Sequence, residues 1–316
     1  MLRLLCAISL LLSAPLAARE NVGLLKEQVI PLSLCAGNKP IDPLRPLMVP
    51  VECNGKPGLF ELGGYGRTRI SESFAASCGI RAGPDDFADS QFDPDGKPVY
   101  TGGALARLKI GDYEQTVNAL IVTDEHCQKS EKEGVIGADA LRAFQWEVDP
   151  GASTLTLRPP GTPPKHKPLA ILETKTSDSK STTMAWYVRV RVRNVSEEIA
   201  ISPGSSFVQA GPRLQKAWDL NSGKPLNLDV NQFGNVRVFW LRGEDTVELT
   251  KDLKETDLPV CLMGDPKHPQ RKVPTDSGLG QCVLNRYVYC IDPKRQQFRL
   301  MARVKAPQTQ PTPHGE

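Results

Sequence analysis

The sequence predicts an all-β fold, and three observations carry that prediction. Short runs alternate apolar with polar residues, Gly, Pro, Asn and Asp punctuate them at intervals of roughly ten residues, and Asn54-Gly55 stands between two apolar runs. Alternation is the period of a half-buried strand, and Asn-Gly supplies the positive φ angles that a tight hairpin turn demands. A further regularity sets the organisation. Gly137 and Gly280, Leu141 and Leu284, Phe144 and Tyr287, and Asp149 and Asp292 are each 143 residues apart, while Glu61 and Ser202, and Gly63 and Gly204, are each 141 apart. A single loop difference of two residues reconciles the spacings, so the chain reads as a duplicated unit with two related halves.

Taken in order, Glu27 to Ser33 is expected as a short strand. The run from Leu47 to Cys53 turns at Asn54-Gly55, and Pro57 to Leu62 returns, delivering Glu61 to a glycine-containing turn. Ser71 is the expected N-cap of a short helix to Cys78, with Gly79 as its stop. Tyr100 to Ile110 and Val117 to Val122 form a hairpin about Gly111-Asp112. Gly134 to Gly137 is a short strand, Ala138 to Phe144 a helix of about two turns, and Gln145 to Val148 with Ser153 to Leu157 a last hairpin.

Pro159 to Pro168 holds five prolines in ten residues, which removes amide donors and dictates an extended connector. With the polar stretch Thr174 to Thr183 it marks a boundary, giving a first half over 19–158, a linker over 159–183 and a second half over 184–304. Within the second half, Trp186 to Val195 and Glu197 to Ser202 are strands, Val236 to Leu241 with Val247 to Leu249 a hairpin, and Leu258 to Met263 a strand. A proline- and charge-rich loop runs from Asp265 to Asp276. Residues 305–316 lack the apolar surface to order.

The opening MLRLLCAISLLLSAPLAA has one basic residue, Arg3, an apolar run and small residues before Arg19, so it reads as a secretory signal over 1–18. It is too short for a permanent anchor, and no later run is apolar enough to span a bilayer. The expected destination is the periplasm or the exterior. Without the signal the chain carries 38 basic and 36 acidic residues. That balance, without a clustered basic face, gives no reason to expect nucleic-acid binding. Seven cysteines remain, at 35, 53, 78, 127, 261, 282 and 290. Disulfides are expected in an oxidising compartment, one pair within each half, and the odd number leaves a thiol over. No CxxC and no His at zinc-finger spacing is present, so neither a metal nor another cofactor is expected.

Two stretches concentrate the chemistry. Leu59 to Ser71 reads LFELGGYGRTRIS, and Ile201 to Leu214 reads ISPGSSFVQAGPRL. Each is followed at a distance by an apolar-apolar-Gly segment that leads into a short helix and an acid-ended strand: Val135-Ile136-Gly137 onward in the first half, Leu279-Gly280 onward in the second. In this the chain resembles the aspartic peptidases, both the single-lobed retropepsin type and the two-lobed pepsin type. The resemblance implies two homologous β-barrel lobes in tandem, a pseudo-dimer with a cleft between them. It places Glu61 and Ser202 at the positions of the two motif Asp residues, and Gly63 and Gly204 on the motif glycines. Tyr100 to Ile110 resembles the strand of the substrate-covering flap, and Gly102 and Gly103 mark either a mobile flap or a simple strand irregularity.

The departures from the family pattern bear on function. Family catalysis needs two carboxylates that share a proton, one activating water and the other protonating the substrate carbonyl. A Ser hydroxyl carries no charge at a useful pH, and Glu extends its carboxylate by about 1.5 Å relative to Asp. Leu62 and Pro203 replace the motif Thr, and Pro203 removes a backbone donor. The expected function is therefore that of a catalytically inactive exported protein binding an extended peptide between the lobes, through Gly63, Gly64, Tyr100, Gly102, Gly103, Gly204, Ser205 and Ser206. The alternative is a weak or atypical aspartic-type endopeptidase working through Glu61. Otherwise Glu61 pairs structurally with Arg67 or Arg69. No GxSxG elbow accompanies Ser205 and Ser206, so turn hydrogen bonding is their expected role. Asp149 and Asp292 are expected to open Asp-Pro turns, and Asp139 to stabilise a helix start.

Overall fold

The computed structural model describes residues 26–34, 46–90, 92–93, 95–127, 133–177, 185–220, 226–231, 234–241, 246–262 and 277–303. Residues 1–18, expected to be a secretory signal, Cys35, the loop 265–276 and residues 305–316 lie outside the described residues. In chain order the first half contains β1 (Gln28–Pro31), β2 (Ser33–Leu34), β3 (Leu47–Cys53), β4 (Lys56–Leu62), β5 (Arg69–Ser71), helix α1 (Glu72–Ser77), β6 (Tyr100–Ile110), β7 (Tyr113–Val122), β8 (Gly134–Ile136), helix α2 (Ala138–Leu141), β9 (Gln145–Asp149) and β10 (Thr154–Arg158). The second contains β11 (Ala170–Thr176), β12 (Trp186–Val192), β13 (Val195–Ile201), β14 (Val208–Gln209), helix α3 (Pro212–Ala217), β15 (Leu226–Asn231), β16 (Gly234–Leu241), β17 (Val247–Thr250), β18 (Leu253–Glu255), β19 (Leu258–Leu262), β20 (Gly278–Leu279), helix α4 (Gln281–Leu284), β21 (Tyr287–Asp292) and β22 (Gln297–Ala302). The protein is all-β.

Six strands of the first half close into a barrel. The order β3-β4-β8-β5-β7-β6 returns on itself because β6 also pairs with β3, at Glu52↔Lys109 and Cys53↔Leu108. The β3–β4 hairpin turns where the Asn-Gly signal lies, with φ of 48° at Asn54 and 85° at Gly55. Ser71 caps α1, its Oγ accepting from the Phe74 amide at 3.4 Å. Full closure leaves this barrel no free edge within the ring.

The ends of the two halves merge. In the larger sheet the order runs β1-β10-β9-β21-β22-β11-β12-β13, so the terminal hairpin of the first half lies beside that of the second, with Val148 opposite Tyr289 and Trp146 opposite Ile291. One face of this shared layer buries Trp146 against Trp186 and Tyr289, with ring centroids 5.5 and 6.2 Å apart. The other carries buried charge: Arg299 donates to Asp292 at 2.9 Å, and Arg158 to Glu147 and Glu27. The proline-rich connector crosses that second face, since the Gly161 amide donates to Asp292 Oδ1 at 3.0 Å.

Several expectations change in the structure. The helix after Gly137 is a single turn, because Phe144 turns inward as a fully buried ring against Tyr113. Residues 170–176, placed in the linker, form β11, whose Ala170 to Glu173 pair with β22. The hairpin of 236–241 with 247–249 does not exist: β16 pairs with β15 and β19, and β17 pairs with β12 and β18. No described cysteine is disulfide-bonded; Cys53, Cys78, Cys127, Cys261, Cys282 and Cys290 are all thiols. Among the described residues no helix is long and apolar enough to cross a membrane.

Candidate functional site

The two glycine turns meet. Position 204 faces the first turn so closely that a Cβ there would lie 2.6 Å from Glu61 Oε1 and 3.2 Å from the Gly63 Cα. Position 64 faces the second turn in the same way, a Cβ lying 2.9 Å from Pro203 Cδ and 3.5 Å from the Trp146 ring. Gly64 has φ of 62°, so the backbone there also resists any side chain. The Glu61 carboxylate is thus buried at the junction of the halves, with 6 % of the residue exposed.

Each turn hangs on the same backbone frame. In the first, β4 runs parallel to β8 with Leu62 opposite Ile136, the Gly63 amide donates to the Ile136 carbonyl at 3.0 Å, and the Ala138 amide to Gly66 O at 2.9 Å. In the second, β13 runs parallel to β20 with Ile201 opposite Leu279, the Ser202 amide donates to the Leu279 carbonyl at 3.0 Å, and the Gln281 amide to Ser205 O at 2.7 Å. The frames superimpose Leu62 on Ile201, Gly63 on Ser202 and Gly66 on Ser205.

That register corrects the equivalence drawn from sequence. Ser202 matches Gly63, and Glu61 matches Ala200, two residues earlier on its strand. Residues two apart on a strand share a face, so Glu61 reaches the junction from one position back. The extra methylene of Glu makes up part of that distance. Among the two stretches 59–71 and 201–214, Glu61 is the one acidic residue. A carboxylate pair cannot be assembled from the turns.

The remaining candidates have assigned partners. Arg67, offered as a partner for Glu61, instead grips Asp85 through Nη1 at 2.9 Å and the Asn118 carbonyl through Nε at 3.0 Å. Burial of Asp85 opposes its ionisation, but the Ala88 amide and Arg67 outweigh it and hold the pKa below the ordinary value. Asp139 does more than start a helix. Its Oδ1 accepts from the Thr68 amide at 2.9 Å, the Thr68 hydroxyl at 2.8 Å and the Ala140 amide at 2.9 Å, buckling the end of the first turn to α2. Desolvation pushes the Asp139 pKa up against those hydrogen bonds. Ser205 Oγ donates to the Phe207 carbonyl at 3.0 Å, and the Ser206 carbonyl accepts from the Cys282 amide, so both serines serve the turn.

The expected flap is anchored. Gly103 exchanges two backbone hydrogen bonds with Gly83, at 2.8 and 3.0 Å, and the ladder to β7 slips between Tyr100 and Gly102. Gly102, with φ of 145°, lies against the Gly83 carbonyl, so the two glycines admit the neighbouring segment rather than forming a hinge. Tyr100 is half-buried beside Phe87. At the far end of the hairpin the Asp112 amide donates to Gln28 Oε1 at 2.8 Å, pinning the tip to β1. Nothing in the local sequence marked the Thr68–Asp139 buckle, whose two partners are 71 positions apart.

Two cavities lie away from the turns. One, of about 580 Å³, is bounded by β1, β3 and the hairpin tip; the other, of about 480 Å³, by Arg189, Glu197, Glu198 and Arg213. No protein-family model matches the chain, and no curated protein matches it.

Proposed function

We propose that this chain is an aspartic-peptidase-like protein of two tandem lobes that has lost peptide hydrolysis and holds an extended peptide segment beside the junction of its glycine turns, after export from the cytoplasm. The observation that carries the reading is the lone carboxylate. Glu61 Oε1 sits against position 204 of the opposite turn, and neither turn contains a second acid. Shared-proton catalysis needs two carboxylates close enough to split their pKa values, and a general acid or base contributes roughly 10² to 10⁴ in rate. The backbone frame, by contrast, is complete in both halves, and a glycine-lined backbone is well suited to accept main-chain hydrogen bonds from an extended ligand.

The test is incubation of the purified mature chain with a denatured-protein mixture from pH 3 to 7, beside a Glu61→Ala variant and with direct measurement of peptide binding. No cleavage by either protein, together with saturable peptide binding, is the expected result. Cleavage that vanishes in Glu61→Ala would overturn the reading and make Glu61 a catalytic acid or base.

A further inference from the structure

We propose that Cys53 and Cys78 are a disulfide-forming pair, whose bond closes the chain segment 53–78 and so encircles the whole Glu61 turn. In this structure both are thiols. Cys53 ends β3 and is fully buried, while Cys78 is the half-buried C-cap residue of α1 and packs against the same core. Their proximity follows from the packing of α1 across the β3–β4 hairpin. A Cβ at Gly58 on that hairpin would press on the Phe74 ring of α1, and Asn54 Nδ2, one residue from Cys53, donates to the Cys78 carbonyl at 3.4 Å. The Cys78 thiol is the polar neighbour of Cys53 in this packing. The proposal stands independently of the functional reading above.

The oxidant is a small-molecule or protein disulfide. Cys78, the more exposed of the two, gives up its proton and attacks one sulfur of that disulfide, expelling the other as a thiolate and leaving a mixed disulfide at Cys78 Sγ. Cys53 then loses its proton and attacks Cys78 Sγ, releasing the second thiolate. Two protons and two electrons pass to the oxidant. The order of attack follows from the environments: burial, then the neighbouring Cys78 thiol, push the Cys53 pKa up to about 12, so it is the poorer first nucleophile. Cys290 is the internal comparison. It is buried in a separate small cluster with Val288 and Met301, and burial raises its thiol to about 12 without a neighbouring cysteine.

The test is native oxidation of the reduced, folded full chain with oxidised glutathione, then alkylation, digestion and mass spectrometry. The expected product is a linked pair of peptides containing Cys53 and Cys78, lighter by about 2 Da than the two thiol peptides, with Cys290 still a thiol. A Cys53→Ala variant, unable to complete the second step, is expected to retain a glutathione adduct on Cys78. Recovery of both residues as free thiols, or of either one joined to another cysteine, would overturn the proposal. So would absence of the Cys78 adduct in the variant.

Discussion

The two glycine turns face each other across one junction, yet they share backbone geometry rather than side-chain chemistry. In the first turn Gly63 and Gly64 both donate to Ile136 O, and the carboxylate arrives from Glu61 behind them. In the second, Ser202, Pro203 and Ser205 occupy the corresponding frame, and Gln281 Nε2 donates to the Pro203 carbonyl at 2.7 Å. Amide-to-carbonyl bonds depend on chain position and tolerate almost any side chain, whereas proton sharing depends on two particular side chains. The first can persist when the second is lost. The same contrast recurs at the matched residues Asp149 and Asp292. Asp149 is a surface cap, accepting from the Gly151 and Ala152 amides at 2.8 and 3.0 Å, whereas Asp292 is fully buried against Arg299.

That pair of aspartates gives the largest expected difference between the halves. Arg299→Met removes the buried ion-pair partner of Asp292, leaving it Arg295 at 3.7 Å and the Gly161 and Arg295 amides, and is expected to cost about 3 kcal/mol. Asp149→Ala should cost only about 1 kcal/mol. Urea denaturation of the two variants measures both, and equal losses would show that the matched positions are not differently built.

Next is the contact between the turns. Gly204→Ala drives a methyl group into Glu61 Oε1 and is expected to cost about 1 to 3 kcal/mol. In a Glu61→Ala background the nearer obstacle is gone and the Gly63 Cα at 3.2 Å remains, so the same substitution should cost less, with a coupling of about 0.5 to 3 kcal/mol in the four-protein cycle. Strict additivity would mean that Glu61 does not lie against the second turn.

The smallest effect sharpens the buckle found in the first half alone. The pKa of Asp139 is raised in the folded state, so folding is favoured by its protonation. Its favourable contribution is present below the ordinary value of 3.8 and is lost as pH rises through the raised value. Asp139→Asn keeps an oxygen for Thr68 but cannot titrate. Relative to the variant, the wild type should therefore lose urea resistance as pH climbs from 3.8 and level off above the folded-state pKa. Parallel pH curves would remove the penalty ascribed to burial.

Local patterns foretold most of the first half. Alternation and Asn54-Gly55 anticipate β3 and β4, Ser71 and Gly79 bracket α1, and Gly111-Asp112 divides β6 from β7. They fail where pairing is the question. The runs at 236–241 and 247–249 are strands, but alternation says only that a segment has two faces, and β19 and β12 compete successfully as their partners. The matching of Glu61 to Ser202 by chain spacing differs from the backbone register for a related reason. Counting from glycines compares positions along the chain, whereas equivalence is set by which amide reaches Ile136 O or Leu279 O.

By itself the sequence determined that the chain is all-β, that its motifs occur twice, and that its two turns hold one carboxylate between them. Those properties are local or compositional, carried by side-chain period, turn residues and residue identity. Only the tertiary structure decided that the first set of strands closes into a barrel, that the terminal hairpins of both halves share one sheet, and that Glu61 lies two residues behind the Gly63–Ser202 match. Those depend on hydrogen bonds between segments far apart in the chain, whose partners no local pattern names.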